Sequence, residues 1–414
     1  MEEIHLFIIW ENALYKKQEI LEDIEKNFEI LKKYIITWDL DKFSENLSRF
    51  YGTNLPKGSG KEQHCGTGPF MLIIVKDKNP KYEKRGTSKG DKIVNTNMFD
   101  KKTYYREITG GGHKIHATND VSETNHDLTL LIDKSIQDFL KENIVSNEEE
   151  KINKNLIGAK GWKNASEMFY VLNNCTNYAL LRNYENLPEE IYVNDHNDID
   201  LICRSKEDCA YILNAKKVFN EEYRVHYVTE VEGKNAYFDL RYVGDNYYDE
   251  DLEEEILKTR VWNNKGFFTV NNYLYFYTLL YHALLHKNQF AEDYKIKLVN
   301  MHIENINENT KEQEYINLLN KWLLDKEYII KIPQDKSVLF NTKKANMMSR
   351  LIYRNEEELL NLKDKNIELQ EENNLLKNKN KELELELNKM VNSISWKSTK
   401  WIRDFHTSIK RKKN

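Results

Sequence analysis

Two aspartates separated by one residue, Asp198 and Asp200 in NDIDLIC, are the first candidates for chemistry in this chain. On a strand, residues two apart project from one face, so both carboxylates would stand side by side with Ile199 and Leu201 turned away. Two carboxylates this close repel unless a cation neutralises them, and hard oxygen ligands select Mg²⁺ or Mn²⁺. A third acid, Asp239, lies between Phe238 and Leu240 in AYFDLRYV, where an adjacent strand would bring it to the same edge. Three carboxylates on two strands could hold metal ions that clamp nucleotide phosphates and orient an attacking hydroxyl, one acid acting as base. An isolated Asp-x-Asp also occurs in surface turns. The order helix, Asp-x-Asp strand, helix, acid-bearing strand distinguishes this one.

Cations follow in the same region. Arg182, Arg241 and Lys287 could bind donor phosphates, or simply form surface ion pairs. His282 and His286 lie one helical turn apart in LLYHALLHK, a spacing that the surrounding tyrosines assign to packing or substrate contact before metal ligation. Further upstream, ITGGGHKIHATND sets Gly110, Gly111 and Gly112 ahead of His113 and His116, with Glu123 and His126 beyond. Consecutive glycines permit close approach to a phosphate, and the histidines could donate protons or bind oxyanions. Glycine turns with hydrogen-bonded histidines are the plainer alternative. His64, Gly66 and Gly68 form a second small-residue loop that could line the same pocket. The GSGK at Gly58–Lys61 lacks P-loop spacing, and neither a dinucleotide fingerprint nor a nucleophile elbow is present.

The run YALLRNYENLP, NDIDLIC, YFDLRYVGDNYYD and FYTLLYHALLHK resembles the nucleotidyltransferase superfamily, and within it the fukutin and bacterial phosphocholine-transferase branch, over residues 165–295. The resemblance implies metal-dependent transfer of a phospho-alditol or similar group from a CDP-linked donor to a glycan. Asp198, Asp200 and Asp239 would be the ligands, and Arg182, Arg241, His282 and Lys287 would be the donor-binding groups. The Gly-Ser pair that precedes the acids elsewhere in the superfamily is missing, which implies a diphosphate donor. The stretch SISWKSTKWIR resembles the tail of bacterial surface-polysaccharide glycosyltransferases, with Lys400 and Trp401 in place of Pro-Leu.

The elements that must position these groups imply an α/β (α+β) protein of several parts. A chain of 414 residues, 40% hydrophobic and 31% charged, fits two globular domains and an extension. We expect an N-terminal α/β domain over 1–147 carrying the Gly/His loops. It opens with a strand at 4–9 and a helix at 14–34, and has further strands at 71–77 and 128–133. The charged stretch 141–155 reads as a linker, with the boundary near 148. A nucleotidyltransferase-like mixed-sheet domain then spans 148–340, beginning with a helix through YVLNNCTNYALLRNYE.

Heptads follow over 341–394. Leu362, Leu369, Leu376, Leu383 and Met390 mark one seam position; Leu359, Asn366, Asn373, Asn380, Leu387 and Ile394 mark the other. Leucine at one seam and asparagine at the other favours a parallel homodimer through 359–394, a single solvated helix being the alternative. The tail, 395–414, interleaves Trp396, Trp401, Ile402 and Phe405 with Lys397, Lys400, Arg403 and Lys410–Lys413, which suits an anionic membrane surface. Its charges are few for nucleic acid, and the net charge of −5 recruits none globally. Four cysteines without CxxC pairing argue against a zinc ribbon or disulfide framework and for a reducing cytosol. No run approaches the roughly 18 apolar residues of a span.

The expectation is therefore a cytoplasmic transferase, peripheral at the inner face of the plasma membrane. It would use Mg²⁺ or Mn²⁺ to pass a phospho-group to a glycan or lipid-linked glycan of capsule, lipooligosaccharide or teichoic-acid-like polymers. Alternatives are nucleotidyl transfer to protein, RNA or a small molecule, a glycosyltransferase carrying a non-catalytic domain of this fold, and a scaffold without metal.

Overall fold

The computed structural model describes residues 2–87, 90–142, 148–191, 198–348, 356–392, 397–399 and 402. It is a mixed α/β protein with two units, 1–351 and 352–414.

The first half of the larger unit comprises β1 (Glu3–Ile9), α1 (Lys17–Asn27), β2 (Glu29–Thr37), α2 (Phe43–Tyr51), α3 (Gly60–Cys65), β3 (Phe70–Asp77), the hairpin β4 (Tyr82–Thr87) and β5 (Gly90–Asn95), α4 (Thr96–Ile108), β6 (Ile115–Ala117), α5 (Val121–Ile132), α6 (Ile136–Lys141) and β7 (Glu149–Asn153). The sheet order is β6-β1-β3-β2-β7, antiparallel except for the β2–β7 edge. With β1, α1, β2, β3, α4 and β6 in that chain order, this is a split βαβ, or ferredoxin-like, arrangement. Period-two alternation fills both faces. Leu6, Ile8 and Trp10 join one core, while Phe7 and Ile9 join another with Ile20 and Ile24 of α1 and Met98 and Tyr105 of α4.

Three sequence expectations shift here. The helix expected to reach residue 34 ends at Asn27, because EILKKYIIT is β-branched enough to form β2. The apolar run at 128–133, expected as a strand, belongs to α5, whose start is fixed by the Asp120 side chain accepting from Glu123 N at 2.8 Å. Residues 149–153, expected to open the second domain, form the edge strand of the first sheet.

The second half comprises α7 (Ala165–Cys175), β8 (Tyr178–Leu180), β9 (Ile199–Cys203), α8 (Lys206–Ile212), β10 (Lys216–Lys217), β11 (His226–Val231), β12 (Lys234–Tyr242), α9 (Glu250–Thr259), β13 (Val261–Asn263), β14 (Phe267–Thr269), α10 (Asn272–Leu285), α11 (Glu292–Asn300), α12 (Glu312–Asp325) and α13 (Thr342–Ala345). The sheet runs β10-β11-β12-β9-β8-β14-β13, with β12–β9 and β14–β8 parallel. The helix expected through residue 185 stops at Cys175, and YAL becomes β8. Asn164, Ser205 and Asn271 cap α7, α8 and α10 through their side chains.

Both faces of this sheet are covered. Ile199, Leu201, Phe238 and Leu240 share a core with β1, β3, α5 and α7, whereas Ala179, Leu181 and Ile202 pack with the buried helix α10. The two halves are also joined by Arg49 of α2, whose guanidinium donates to the carbonyls of Ile157, Tyr211 and Ile212 at 2.9–3.2 Å.

The second unit carries α14 (Glu356–Asn392), a single helix on which Leu369, Leu376 and Leu383 are exposed. Ile394 and the tail other than 397–399 and 402 lie outside the described residues. No helix among the described residues is long and apolar enough to cross a membrane.

Replacing Arg49 with Met keeps the apolar stem but strands three carbonyls that are shared between the halves. Urea denaturation should show a loss of about 2 to 4 kcal/mol. A loss below about 0.5 kcal/mol would show that the bridge contributes nothing.

Candidate functional site

The register of two parallel strands builds the site. Asp200 on β9 and Asp239 on β12 are direct partners across the ladder, and the antiparallel β11 sets His226 opposite Asp239 on its other side. Ile199, Leu201, Phe238 and Leu240 enter the core on one face, so alternation turns Asp200, Asp239 and Arg241 to the opposite face, under α10. Asp198 sits just ahead of β9 and is exposed, while Asp200 and Asp239 are buried.

Burial of these acids is balanced by arginines. Arg182, just beyond β8, donates to Asp200 in a buried ion pair. Burial pushes Asp200 up to about 6, with Arg182 pulling the other way and Asp239 adding repulsion. Arg241 lies 3.6 Å from Asp239, 3.7 Å from Asp245 and 3.9 Å from Asp335. Its guanidinium stacks 4.2 Å from the Tyr247 ring centroid.

Beside the acids lies a cavity of about 520 Å³, lined by Arg182, Asp239, Arg241 and Tyr247 together with His282, His286 and Lys287. Five of the groups expected from sequence (Asp239, Arg182, Arg241, His282 and Lys287) therefore meet in one space. His282 Nδ1 is 2.7 Å from the Tyr247 hydroxyl, and the His286 ring is 4.1 Å from that of Tyr247. Burial lowers both histidines well below the ordinary value, helped by Arg182 and Arg241, so they enter the cavity as neutral hydrogen-bonding groups. Both ring nitrogens of His286, together with Arg241 Nε and one terminal nitrogen, are buried without a hydrogen-bond partner in the chain. Such atoms fit a polar ligand.

Sequence reasoning missed His226, Tyr247, Asp335 and the cavity edge at Ser337–Leu339. His226 had a usable signal. A two-residue turn at Glu232-Gly233, both with positive φ, joins β11 to β12, and counting outward from it sets His226 against Asp239. Asp335 had none, since it lies beyond α12 in irregular chain.

Gly111, Gly112, His113 and His116 are not among the residues lining this cavity; they belong to the first sheet and its loops. Gly110, Gly111 and Gly112 all have φ near +80°, the left-handed region that explains three glycines in a row. His113 lies 5.5 Å from the His64 ring, and burial lowers its pKa with Lys61, Arg106 and His64 adding to the effect. His116 Nε2 shares a 2.7 Å hydrogen bond with Asp127, inside the core. Burial lowers His116 and pushes Asp127 up to about 7, against the pull of His116. Glu123 lies close to this pair, but its carboxylate accepts from Asn119 N and Nδ2 at 2.6 and 2.7 Å.

No protein-family model matches the chain, and no curated protein matches it. Among solved structures, an orthorhombic crystal form of the Aquifex aeolicus nucleoside diphosphate kinase is similar at 15% identity and a TM-score of 0.23, covering 33% of this chain and 99% of that one. Overlap at that level carries no argument about fold or activity.

The His116–Asp127 pair makes a pH prediction. Asp127 keeps its proton in the fold but loses it near pH 4 in the unfolded chain, so between about pH 4 and 7 this group binds more protons when folded and lowers stability as pH rises. His116, whose pKa burial lowers in the fold, offsets it by binding fewer protons folded than unfolded as pH falls below about 6.5. His116→Gln removes the offset, so relative to wild type its stability should fall as pH rises toward about 6.5. Parallel urea-denaturation profiles for the two proteins would rule this out.

Proposed function

We propose that this chain is a divalent-metal-dependent transferase that moves a phosphate-linked group from a nucleotide-activated donor to a glycan or lipid-linked glycan of a bacterial cell surface. One observation carries the reading: Asp239 is paired in register with Asp200 beside a cavity bearing Arg182, Arg241 and Lys287. A surface ion-pair network would not need a cavity, and a core would not need the charges.

The residues present fit a divalent ion, because Asp239 Oδ1 is buried with no hydrogen-bond partner and a second carboxylate, Asp198, lies close by. Bound there, such an ion would neutralise the donor's diphosphate. Arg182, Arg241 and Lys287 bind phosphate oxygens, and neutral His282 and His286 add hydrogen bonds without further charge. In the transfer, the acceptor hydroxyl oxygen bonds to the donor phosphorus, the bond to the nucleotide monophosphate breaks, and the hydroxyl proton passes to an aspartate of the site. The CDP-linked donor and the polysaccharide setting come from the sequence resemblance. Catalysis at the inner membrane face rests on the interleaved aromatics and cations of residues 395–414, and a parallel dimer on the heptads of 359–394, which would hold two such sites at the lipid surface.

Thermal unfolding with CDP, CTP and ATP, each with and without Mg²⁺ or Mn²⁺, tests the site. A cytidine nucleotide with metal at about 100 times Kd should stabilise wild type by about 2.7 kcal/mol, and Asp239→Asn should abolish that gain. An unchanged gain in Asp239→Asn, or no gain with any nucleotide, would reduce the chain to a scaffold. For the dimer, light scattering of the full chain should give twice the monomer mass, falling to one on replacement of Leu369, Leu376 and Leu383 by Ala. A monomeric wild type overturns the dimer.

A further inference from the structure

We infer that the ligand set for the divalent ion is Asp198, His226 and Asp239, with Asp200 outside it, and that the imidazole makes the site prefer a first-row transition ion over Mg²⁺. The inference rests on the metal-dependent reading above and specifies which ion that reading requires.

Asp200 is already committed. Its carboxylate is held by Arg182 in the buried ion pair, and freeing it would leave a guanidinium uncompensated in the core. Asp239 meets its arginine only at 3.6 Å, outside hydrogen-bonding distance, and potential ligand atoms of Asp198, His226 and Asp239 all lie within 4.8 Å of one another. An ion with ligand bonds of about 2.1 Å and near-octahedral geometry places its donors about 3 to 4.3 Å apart, a spacing that these side chains reach with small rotations.

Two further observations point to a ligand. Asp239 Oδ1 lies 3.4 Å from His226 Nε2, yet it is buried without a hydrogen bond, so the imidazole beside it does not satisfy it. Behind the imidazole, Nδ1 faces Asp335 Oδ2 at 3.7 Å, and Asp335 is 1% exposed. A carboxylate near the far nitrogen is the setting that orients a metal-bound histidine; Nδ1 and Asp335 Oδ2 are both buried without a hydrogen bond, and closing their 3.7 Å gap would direct Nδ1–H to Asp335 and leave the Nε2 lone pair for the ion. Asp335 is itself fixed by Ser337, whose N and Oγ donate to Oδ1 at 2.9 and 2.6 Å. It is a positioning residue, acting through His226.

Mg²⁺ demands oxygen donors and gives up water reluctantly, whereas first-row transition ions accept imidazole nitrogen. Two carboxylates and one imidazole, with remaining positions open to water or phosphate oxygens, therefore discriminate by ligand chemistry and not by charge.

The test uses the full chain with MnCl₂ or MgCl₂ alone, followed by calorimetry and by electron spin echo spectroscopy of bound Mn²⁺. Wild type should bind Mn²⁺ at least about tenfold more tightly than Mg²⁺, with modulation from a directly bound imidazole nitrogen. His226→Asn should remove the modulation and the preference, and Asp335→Asn should weaken Mn²⁺ about tenfold while keeping the nitrogen signal. Asp200→Asn should keep the imidazole-nitrogen signal of bound Mn²⁺ even where the lost charge weakens binding, with circular dichroism confirming that each variant is folded. Mn²⁺ binding without a nitrogen signal, or lost in Asp200→Asn, overturns the ligand set and leaves a metal-dependent transferase standing. Failure of wild type to bind either ion overturns both.

Discussion

Charge compensation between adjacent parallel strands is the constraint on which the rest depends. Asp200 and Asp239 face each other across the ladder in a place where water is scarce, and each uncompensated charge there would cost several kcal/mol. Arg182 answers one and Arg241 the other, and Arg241 extends the balance to Asp245 and Asp335. Apolar side chains of similar size would give a more stable sheet. A chain that carries this many ionised groups into a cavity wall, several with polar atoms lacking partners, has a polar ligand as the simplest reason for them.

The hydrophobic layers hold that arrangement in register. A one-residue slip of β12 against β9 would carry Phe238 and Leu240 out of their core and turn Asp239 and Arg241 into it, so packing on one face locks the chemistry on the other. The helix α10 closes the second face with an unbroken run of buried residues. Its last turn delivers His282 and His286 to the cavity, and Lys287 follows directly. Tyr247 ties these pieces together, stacking on Arg241 and bonding to His282.

Much of this arrangement was legible in the sequence, because period-two alternation is a local property. Asp198, Asp200 and Asp239 could be placed near one edge, and Arg182, Arg241, His282 and Lys287 could be placed near them, from strand pattern and chain order alone. Short apolar runs resisted assignment: LTLLID lies in a helix and YAL in a strand, and tertiary packing decides between them. The Gly/His loops carry the same residue types as a phosphate site, yet His116 is spent on Asp127 inside the core, a fact no spacing reveals. Asp335 reaches the site from the far end of the unit, and its contribution depends wholly on how α10, α11 and α12 return the chain to the sheet.

That return has a consequence for synthesis. A chain emerging from the ribosome folds N-terminal parts first. Here the strands bearing the acids are complete once residue 242 has emerged, but the wall formed by Ser337, Val338 and Leu339 is translated almost a hundred residues later. The cavity therefore gains its last wall only when nearly all of the larger unit has left the exit tunnel.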